Sequence, residues 1–273
     1  MTNFIWKGWK WFAYDHCKNT SSADKHSYYA ENVTKTEHDE LFFYIKYAPK
    51  KFDNDELNTQ REFGCAHIQS EHVFSYGKFI FDAKLSNSPK TWEAIWLYGV
   101  ESWPPEVDIV ESFPNKNGSV LGCPDVKWET NIHYQESACS ITKGTFVQVD
   151  TKDTNVKLNT NIQYKEPIKC SITGGAPMQL GAKGINLAWY LLTHRFNKPD
   201  RWVLDWTPNY IKIYFNGLCI RKVTDPAVLA TFNKDPRMRV VVNTMTQEGF
   251  GQEEYTKQQG MYLTNFDYIP YQQ

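Results

Sequence analysis

Three acidic residues alternate with β-branched apolar residues in the segment 106–111, which reads EVDIVE. Val and Ile at this density predict a strand, in which Glu106 and Asp108 share one face because side chains alternate. Glu111 lies an odd number of positions after Glu106, so a regular strand would turn it to the opposite face. A β-bulge adds one residue and returns Glu111 to the shared face, and we select Val110 as the inserted residue.

Such a set of carboxylates is suited to acid–base chemistry on a glycosidic bond. With the bulge, Glu106 and Glu111 are separated by roughly 13 Å of backbone at ~3.3 Å per residue. Two long Glu side chains that lean together could reach the ~5–5.5 Å separation that retaining glycosidases use. Because three carboxylates on one face repel each other, one should keep its proton near neutral pH, as a general acid must. The shorter Asp108 would hold or tune a flanking Glu.

Alternating acids can also be an ordinary solvated strand face, but the neighbouring residues argue against that reading. Three tryptophans precede the acidic segment: Trp92, Trp96 and Trp103. Indole faces are natural platforms for the apolar faces of sugar rings. We select Trp103 and Trp96 as the best sugar platforms, and Trp92 and Trp128 as weaker candidates because either could fill the core.

These residues resemble the signature of glycoside hydrolase family 16. The segment EVDIVE, preceded by Trp103-Pro104, is similar to the longer, bulge-containing form found in laminarinase-like, agarase-like, porphyranase-like and carrageenase-like members. The segment 92–97, WEAIWL, resembles the family pattern W-P-A-x-W-L, with Glu93 in place of the usual proline. Further similarity occurs in 74–85 and in 202–208, WVLDWTP, so that the resemblance extends over most of the chain.

The resemblance implies an all-β fold: a concanavalin-like, jelly-roll β-sandwich of two curved antiparallel sheets with a concave substrate cleft. A single glycoside hydrolase domain would span 1–273. The interval of about 135–187 lacks the resemblance, and we interpret it as a family-atypical insertion beside the cleft, or as a surface elaboration without a binding role. Asn216-Gly217 predicts the tip of a hairpin over 211–220. The segment 226–232 is predicted to form a short helix.

The resemblance also implies roles. Glu106 would be the nucleophile of a retaining, endo-acting glycosidase, and Glu111 its acid/base. Asp108 would bond Glu106, and His133 matches a histidine that could bond the glycosidic oxygen or orient Glu111. Trp103-Pro104 and His133 favour β-1,3- or mixed-linkage glucan as the substrate.

Other substrates and functions stay open. A galactan-cleaving member would need cations for sulfate groups, for which Arg61, Arg195 and Arg201 are candidates, although surface ion pairs would also explain them. A transglycosylase would use the same residues with a sugar acceptor. A lectin-like sandwich or a structural surface protein would not need three acids.

Composition excludes several other classes. The chain has 273 residues, with 30 basic and 31 acidic, so nothing indicates a nucleic-acid or membrane partner. No apolar run suits a transmembrane helix and no signal peptide is visible, yet a polysaccharide substrate leads us to expect an extracellular monomer. The six cysteines allow disulfides but show no zinc-binding spacing. We expect no required cofactor; Asp267 aligns with an aspartate that binds a structural calcium in some relatives.

Overall fold

The computed structural model describes residues 2–15, 26–51, 60–86, 88, 90–114, 126–135, 146–148, 157–159, 169–173, 198–246 and 259–271. In these ranges most of the chain is β-structure. The strands are β1 (Thr2–Trp6), β2 (Trp9–Ala13), β3 (His26–Tyr28), β4 (Val33–Lys35), β5 (Leu41–Lys51), β6 (Gln60–Ser70), β7 (Gly77–Lys84), β8 (Thr91–Gly99), β9 (Glu106–Pro114), β10 (Val126–Gln135), β11 (Phe146–Gln148), β12 (Lys157–Asn159), β13 (Lys169–Thr173), β14 (Asp200–Thr207), β15 (Tyr210–Phe215), β16 (Leu218–Val223), β17 (Met238–Thr246) and β18 (Gln259–Pro270). A 3-10 helix (Ala30–Asn32) and one α-helix, α1 (Pro226–Lys234), complete the described elements.

The strands form two layers that are joined along one side. One layer has the order β13-β10-β9-β8-β17-β6, continued by β2 and β1, and the other has the order β5-β18-β7-β14-β15-β16. The long strand β5 belongs to both, since Leu41–Ile45 pairs with β18 and Lys46–Lys51 pairs with β6. The predicted all-β sandwich is therefore confirmed.

The core lies between the two layers and is rich in aromatic side chains. Strand β7 alternates buried and half-buried residues along its whole length, which places Phe79, Phe81 and Ala83 in the core as predicted. Contacts between the layers include Trp11 with Phe266, whose ring centroids are 5.3 Å apart. Each buried side chain of this kind contributes about 1.5–3 kcal/mol through loss of apolar surface from water.

The tight turn of the predicted hairpin is present between β15 and β16. Asn216 and Gly217 both have positive φ angles, 46° and 88°, as the two central residues of such a turn require. A register shift follows: Ile213 pairs with Arg221 and Tyr214 with Cys219, which leaves Ile220 as a bulge in β16. The bulge turns Arg221 into the core, although Cys219, two residues earlier, is exposed.

Helix α1 begins where the sequence predicted it. The Asp225 carboxylate accepts the N–H of Ala227 at 2.9 Å, and Pro226 occupies the first turn. Its apolar side, Val228, Leu229 and Phe232, is buried in the core. The helix also contacts β10, because the Thr231 hydroxyl donates to Gln135 O at 2.8 Å.

Three short strands lie in the interval that we interpreted as an insertion. Strands β11 and β12 pair with each other, and β13 pairs with β10, where Ser171 lies opposite His133. The interval thus adds an edge strand directly beside the strand that carries His133. Its remaining residues lie outside the described residues, as do Arg195 and three of the six cysteines, Cys17, Cys123 and Cys139. The single-domain organisation and the insertion stay predictions.

Two further predictions can be followed only in part. Cys65, which is buried, and Cys219, which is exposed, are both free thiols. In the described ranges, no helix has the length and apolar character needed to cross a membrane.

Candidate active site

The acidic segment forms the first part of β9, and its bulge is present. In the pairing with β8, Glu111 lies opposite Ala94, Val110 opposite Ile95, and Asp108 opposite Trp96. Ile109 is the residue left without a partner in this register. The bulge is therefore one position earlier than the sequence analysis placed it, since Val110 keeps its place in the ladder.

The bulge separates apolar from acidic side chains. Val107, Ile109 and Val110 are fully buried in the core between the sheets. Glu106 and Glu111 are half-buried on the other face, and Asp108 is 4% exposed. The shared face of the three acids, which the alternation rule predicted once a bulge was included, is the face of the β13-to-β6 sheet away from the core. The family resemblance predicts that this face is concave, and we call it the concave face.

His133 joins this group from β10. Its side of the strand is set by regular alternation, because Trp128, Thr130 and Ile132 are buried on the opposite face. The His133 Nε2 atom lies 3.3 Å from Oε1 of Glu106 and 3.3 Å from Oδ2 of Asp108. The structure thus places His133 at Glu106 and Asp108, whereas the sequence analysis considered it for orienting Glu111.

Asn131 is a neighbour that the sequence analysis missed. Its Nδ2 lies 2.9 Å from His133 Nε2, while its Oδ1 accepts the N–H of Ile132 at 3.0 Å. An amide nitrogen can only donate, so the imidazole accepts this bond when Nε2 carries no proton, whereas a protonated Nε2 can donate to the carboxylates 3.3 Å away. Position i−2 on the same strand was the signal that could have identified Asn131.

Two predicted indoles donate directly to the two glutamates. Trp103 Nε1 lies 3.0 Å from Oε2 of Glu106, and Trp92 Nε1 lies 3.2 Å from Oε1 of Glu111. The Trp103 side chain is 45% exposed, and its ring centroid is 5.5 Å from that of His133. Trp92 therefore belongs to the site rather than to the core.

The turn that carries Trp103 is held close to β8. A Cβ atom at Gly99 would lie 2.7 Å from Cδ of Pro105, so only glycine allows this approach. The N–H of Gly99 donates to the carbonyl of Pro105 at 2.8 Å.

Trp96 forms part of the concave face as predicted. It lies opposite Asp108, and its Nε1 donates to Oδ1 of Asn243 on β17 at 2.7 Å. The Trp96 ring is 5.6 Å from that of Tyr98, which continues the aromatic surface along β8.

The prediction that Trp128 contacts substrate is wrong. Trp128 is 2% exposed and packs against Trp202 and Phe215 of the outer sheet, at ring-centroid distances of 5.6 and 5.8 Å. Strand β10 has no bulge of its own, so its alternation sends Trp128 to the core and His133 to the cleft.

Burial raises the pKa of all three carboxyls. The pKa of Glu106 is raised to about 7 by burial and by the charge of Asp108, against His133 and the Trp103 hydrogen bond. The pKa of Asp108 is raised to about 7 by burial, against the charge of Arg221. The pKa of Glu111 is raised to about 8 by burial and by Asp108, against the Trp92 hydrogen bond. Glu111 is therefore the carboxyl that holds a proton to the highest pH.

The same group can be considered as a cation site. Potential ligand atoms of Glu106, Asp108 and His133 lie within 4.8 Å of one another, and this is the one such group of three in the part of the chain that the structure describes. The indole and amide contacts instead suit these side chains for proton chemistry. Asp267, the predicted calcium ligand, is exposed, and its Oδ1 accepts the N–H of Tyr268 at 2.8 Å, so calcium binding there stays a prediction.

Of the three arginines considered for sulfate binding, Arg201 is in a surface ion pair and Arg61 is buried, whereas Arg195 lies outside the described residues. Arg201 forms a two-pronged ion pair with Asp82 on the outer sheet, at 2.7 and 2.8 Å, as the surface-pair alternative predicted. Arg61 is 1% exposed. Arg239 of β17 lies on the concave face, since Met238 and Val240 on either side are in the core.

Arg239 is accompanied by polar groups that the sequence analysis also missed. The hydroxyls of Tyr14 and Tyr98 donate to Oε1 of Gln69 at 2.7 and 2.8 Å. Arg239 lowers the pKa of both tyrosines against a larger, opposite effect of burial. In register, Arg239 lies opposite Tyr98, which lies opposite Glu106, so this group is two strands from the proposed nucleophile.

The fold agrees with comparisons to known proteins. Three solved structures share the fold at low identity. A family 16 glycoside hydrolase from the Bacteroides ovatus mixed linkage glucan locus is 15% identical, with a TM-score of 0.58, 95% of this chain covered and 94% of that one. The laminarinase catalytic domain of Thermotoga maritima is 15% identical (TM-score 0.54, coverage 92% and 84%). Porphyranase B of Zobellia galactanivorans is 16% identical (TM-score 0.57, coverage 98% and 87%).

At the level of sequence, comparison with curated proteins gave no match. The profile of glycosyl hydrolases family 16 matches residues 22–159, just over half of the chain, and this region contains the acidic segment and His133. The chain therefore belongs to glycosyl hydrolases family 16.

Proposed function

We propose that the chain is a retaining, endo-acting glycosidase of a β-linked polysaccharide. The observation that carries this proposal is the pair Glu106 and Glu111 on one concave face, each with its own indole donor and with Glu111 the more weakly acidic. Membership of family 16 supports it. A lectin would need the indoles but not two glutamates with different proton affinities.

The first step breaks the glycosidic bond. Glu111 donates its proton to the leaving oxygen while Oε1 or Oε2 of Glu106 attacks the anomeric carbon, which gives a glycosyl ester. The indole N–H of Trp103 stabilises the ionised form of Glu106. The positive charge of a protonated His133, whose Nε2 lies 3.3 Å from Oε1, also favours ionised Glu106, whereas the charge of Asp108 opposes it.

The second step releases the sugar. Glu111, now ionised, takes a proton from water as the water attacks the anomeric carbon, and the ester bond to Glu106 breaks. The configuration at the anomeric carbon inverts once in each of the two steps, so the product keeps the starting configuration. The Trp92 N–H bond stabilises ionised Glu111, which is the form that must act as base.

The proposal of endo action is supported by the width of the sheet. The four strand spacings from β10 to β6 span roughly 19 Å at ~4.8 Å each, which is enough for several sugar units. Exposed Trp103 and half-buried Trp96 offer apolar surface to sugar rings along this path. Because a polymeric glycan is met outside cells, we also propose an extracellular site of action.

Glucan with β-1,3 or mixed linkages is the proposed substrate, supported by two fold neighbours, the hydrolase of the mixed linkage glucan locus in complex with its product and the laminarinase. The test is a reducing-end assay on laminarin, mixed-linkage glucan, agarose, porphyran, carrageenan and mucin glycans, with sized products. An oligosaccharide ladder from a glucan is expected. Binding without any product would support the lectin instead, and products longer than the substrate would indicate transglycosylation.

A galactan with anionic substituents is the second candidate, favoured by one observation. Arg239, with Tyr14, Tyr98 and Gln69, places a cation and hydroxyl groups on the concave face. A guanidinium binds sulfate or carboxylate oxygens in a two-pronged geometry. Activity on porphyran or carrageenan that Arg239→Met reduces at least tenfold would support this substrate; equal activity of the variant on a neutral glucan serves as its control.

A further inference from the structure

Arg221 is a buried cation on the outer sheet whose side chain reaches the sheet that carries the site. It is 6% exposed, and the bulge at Ile220 turns it inward. Its Nε donates to the Thr130 hydroxyl at 2.5 Å, and its Nη2 donates to the Thr130 carbonyl at 2.8 Å. A guanidinium is expensive to bury, so a core position calls for a role that an apolar side chain would not fulfil.

Thr130 is the residue of β10 that faces the bulge of β9. In that strand pair Glu129 lies opposite Glu111 and Asn131 lies opposite Asp108, which leaves Thr130 opposite both Ile109 and Val110. Thr130, across from the bulge, is therefore fixed by two hydrogen bonds from Arg221, one to its side-chain hydroxyl and one to its backbone carbonyl. Two bulges therefore meet at Thr130. The bulge at Ile220 turns Arg221 into the core, and the bulge of β9 lies opposite Thr130, which Arg221 binds.

We propose that Arg221 is a positioning residue for the reaction, which fixes the bulge that sets the spacing of Glu106 and Glu111 and places a positive charge beneath Asp108. This inference rests on the proposed function of the site. Arg221 touches neither substrate nor reacting atoms and acts through Thr130 and Asp108.

The charge has a measurable consequence. Burial lowers the pKa of Arg221, and the charge of Asp108 opposes this effect. Burial raises the pKa of Asp108, and the charge of Arg221 opposes that effect in turn. Removal of the Arg221 cation should therefore raise the pKa values of the three carboxyls, Glu106, Asp108 and Glu111, together. Besides Asp108, the charged or titratable residues of β8, β9 and β10 are Glu93, Tyr98, Glu106, Glu111, Lys127, Glu129, His133 and Tyr134.

Three variants separate geometry from charge. Arg221→Met removes both, Arg221→Lys keeps the charge without the two-pronged contact, and Thr130→Val removes one hydrogen bond and keeps the charge. We expect Arg221→Met to lower kcat at least about tenfold with KM changed less than about threefold, and to shift the acidic limb of the pH profile upward by about one unit. In Arg221→Lys the acidic limb should lie at its wild-type pH, whereas kcat should stay reduced. Thr130→Val should lower kcat about two- to fivefold without a shift of the acidic limb.

The control is a core variant away from the bulge, Leu263→Ala, which should lose thermal stability while its pH profile stays unchanged. Leu263 is fully buried in β18, which pairs with β5 and β7. A folded Arg221→Met with the wild-type profile and kcat would overturn the proposal. If that variant does not fold, wild-type kcat in both Arg221→Lys and Thr130→Val would overturn it.

A second readout does not depend on turnover. Carbon NMR titration of the Asp and Glu carboxyls should show the upward pKa shift in Arg221→Met even if no tested polysaccharide is cleaved. If the wild-type protein is inactive but Arg221→Met shows the pKa shift, the result counts against the proposed function alone. If the wild-type protein is active and Arg221→Met shows no shift, the result counts against the role of Arg221 alone.

Discussion

The indole N–H of Trp92 donates a hydrogen bond of 3.2 Å to Oε1 of Glu111, from the strand that pairs with β9. This bond favours the ionised carboxylate and opposes burial, which raises the Glu111 pKa to about 8. Trp92 therefore sets how readily the proposed acid gives up its proton.

The first prediction follows for the pH dependence of activity. Glu111 must be protonated, so kcat/KM should fall as the pH rises above about 8; Glu106, with a pKa raised to about 7, must be ionised, so activity should fall below that pH. Trp92→Phe should move the alkaline limb upward by roughly half to one unit, because a lost hydrogen bond is worth about 1 kcal/mol. An unchanged alkaline limb would contradict this role of Trp92.

The second prediction concerns Glu106. Glu106→Gln keeps the size of the side chain but removes the nucleophile, so kcat should fall by at least about a thousandfold. Oligosaccharide affinity, measured by calorimetry, should stay within about threefold of the wild-type value. Glu101→Gln is the matched control, because Glu101 is exposed nearby and pairs with Arg237. Product formation by Glu106→Gln at the control rate would exclude the mechanism.

The third prediction tests Glu111 as the proton donor. Glu111→Ala should lower kcat on polysaccharide by about 10²–10⁴-fold. On an aryl glycoside with an activated leaving group the first step should be much less affected, since that group needs no proton. Azide should then restore turnover and give a glycosyl azide of unchanged configuration. An equal loss on both substrates, without azide rescue, would assign Glu111 another role.

The fourth prediction compares two tryptophans that the sequence analysis selected as sugar platforms, Trp103 as a best candidate and Trp128 as a weaker one. Trp103→Ala should raise KM several-fold, because an exposed platform is lost, with little change in the melting temperature. Trp128→Ala should cost about 3–5 kcal/mol of unfolding free energy, because it leaves a cavity in the core. Its KM should be that of the wild type when measured below its melting temperature. Melting curves and KM values of both variants decide the comparison.

The fifth prediction concerns stability rather than catalysis. Glu93, in place of the proline of the family pattern, is fully buried and accepts from the N–H of Ser86 at 2.7 Å and the hydroxyl of Thr91 at 3.2 Å. Burial raises its pKa to about 8. Because this lies above the usual value of an unfolded Glu, stability should be greatest at low pH and should fall as the pH rises towards 8.

A neutral replacement should remove that loss. Glu93→Gln should stabilise the protein by roughly 2–4 kcal/mol at pH 8, with a much smaller effect at pH 4.5. Thermal unfolding of both proteins across this range measures the difference. Curves with the same separation at both pH values would show that the proton on Glu93 does not control stability.

Several features of the site could be predicted from the sequence because they depend on local rules. Alternation along a strand places Glu106 and Asp108 together, and the odd spacing to Glu111 requires a bulge. The bulge falls at Ile109 rather than Val110, because the register of the ladder with β8 decides which residue is left unpaired. A strand sequence alone does not contain its partner's register.

The tertiary structure decided which faces meet. Trp92 and Trp128 have the same residue type, yet one binds Glu111 and the other packs against Trp202, because each strand's orientation depends on its neighbours. Alternation from exposed Cys219 would send Arg221 to solvent, and only the bulge at Ile220 sends it to Thr130. Family resemblance and local pattern thus predicted the candidate catalytic residues, whereas pairings between distant strands determined what surrounds them, since side-chain contacts across a sandwich join residues far apart in the chain.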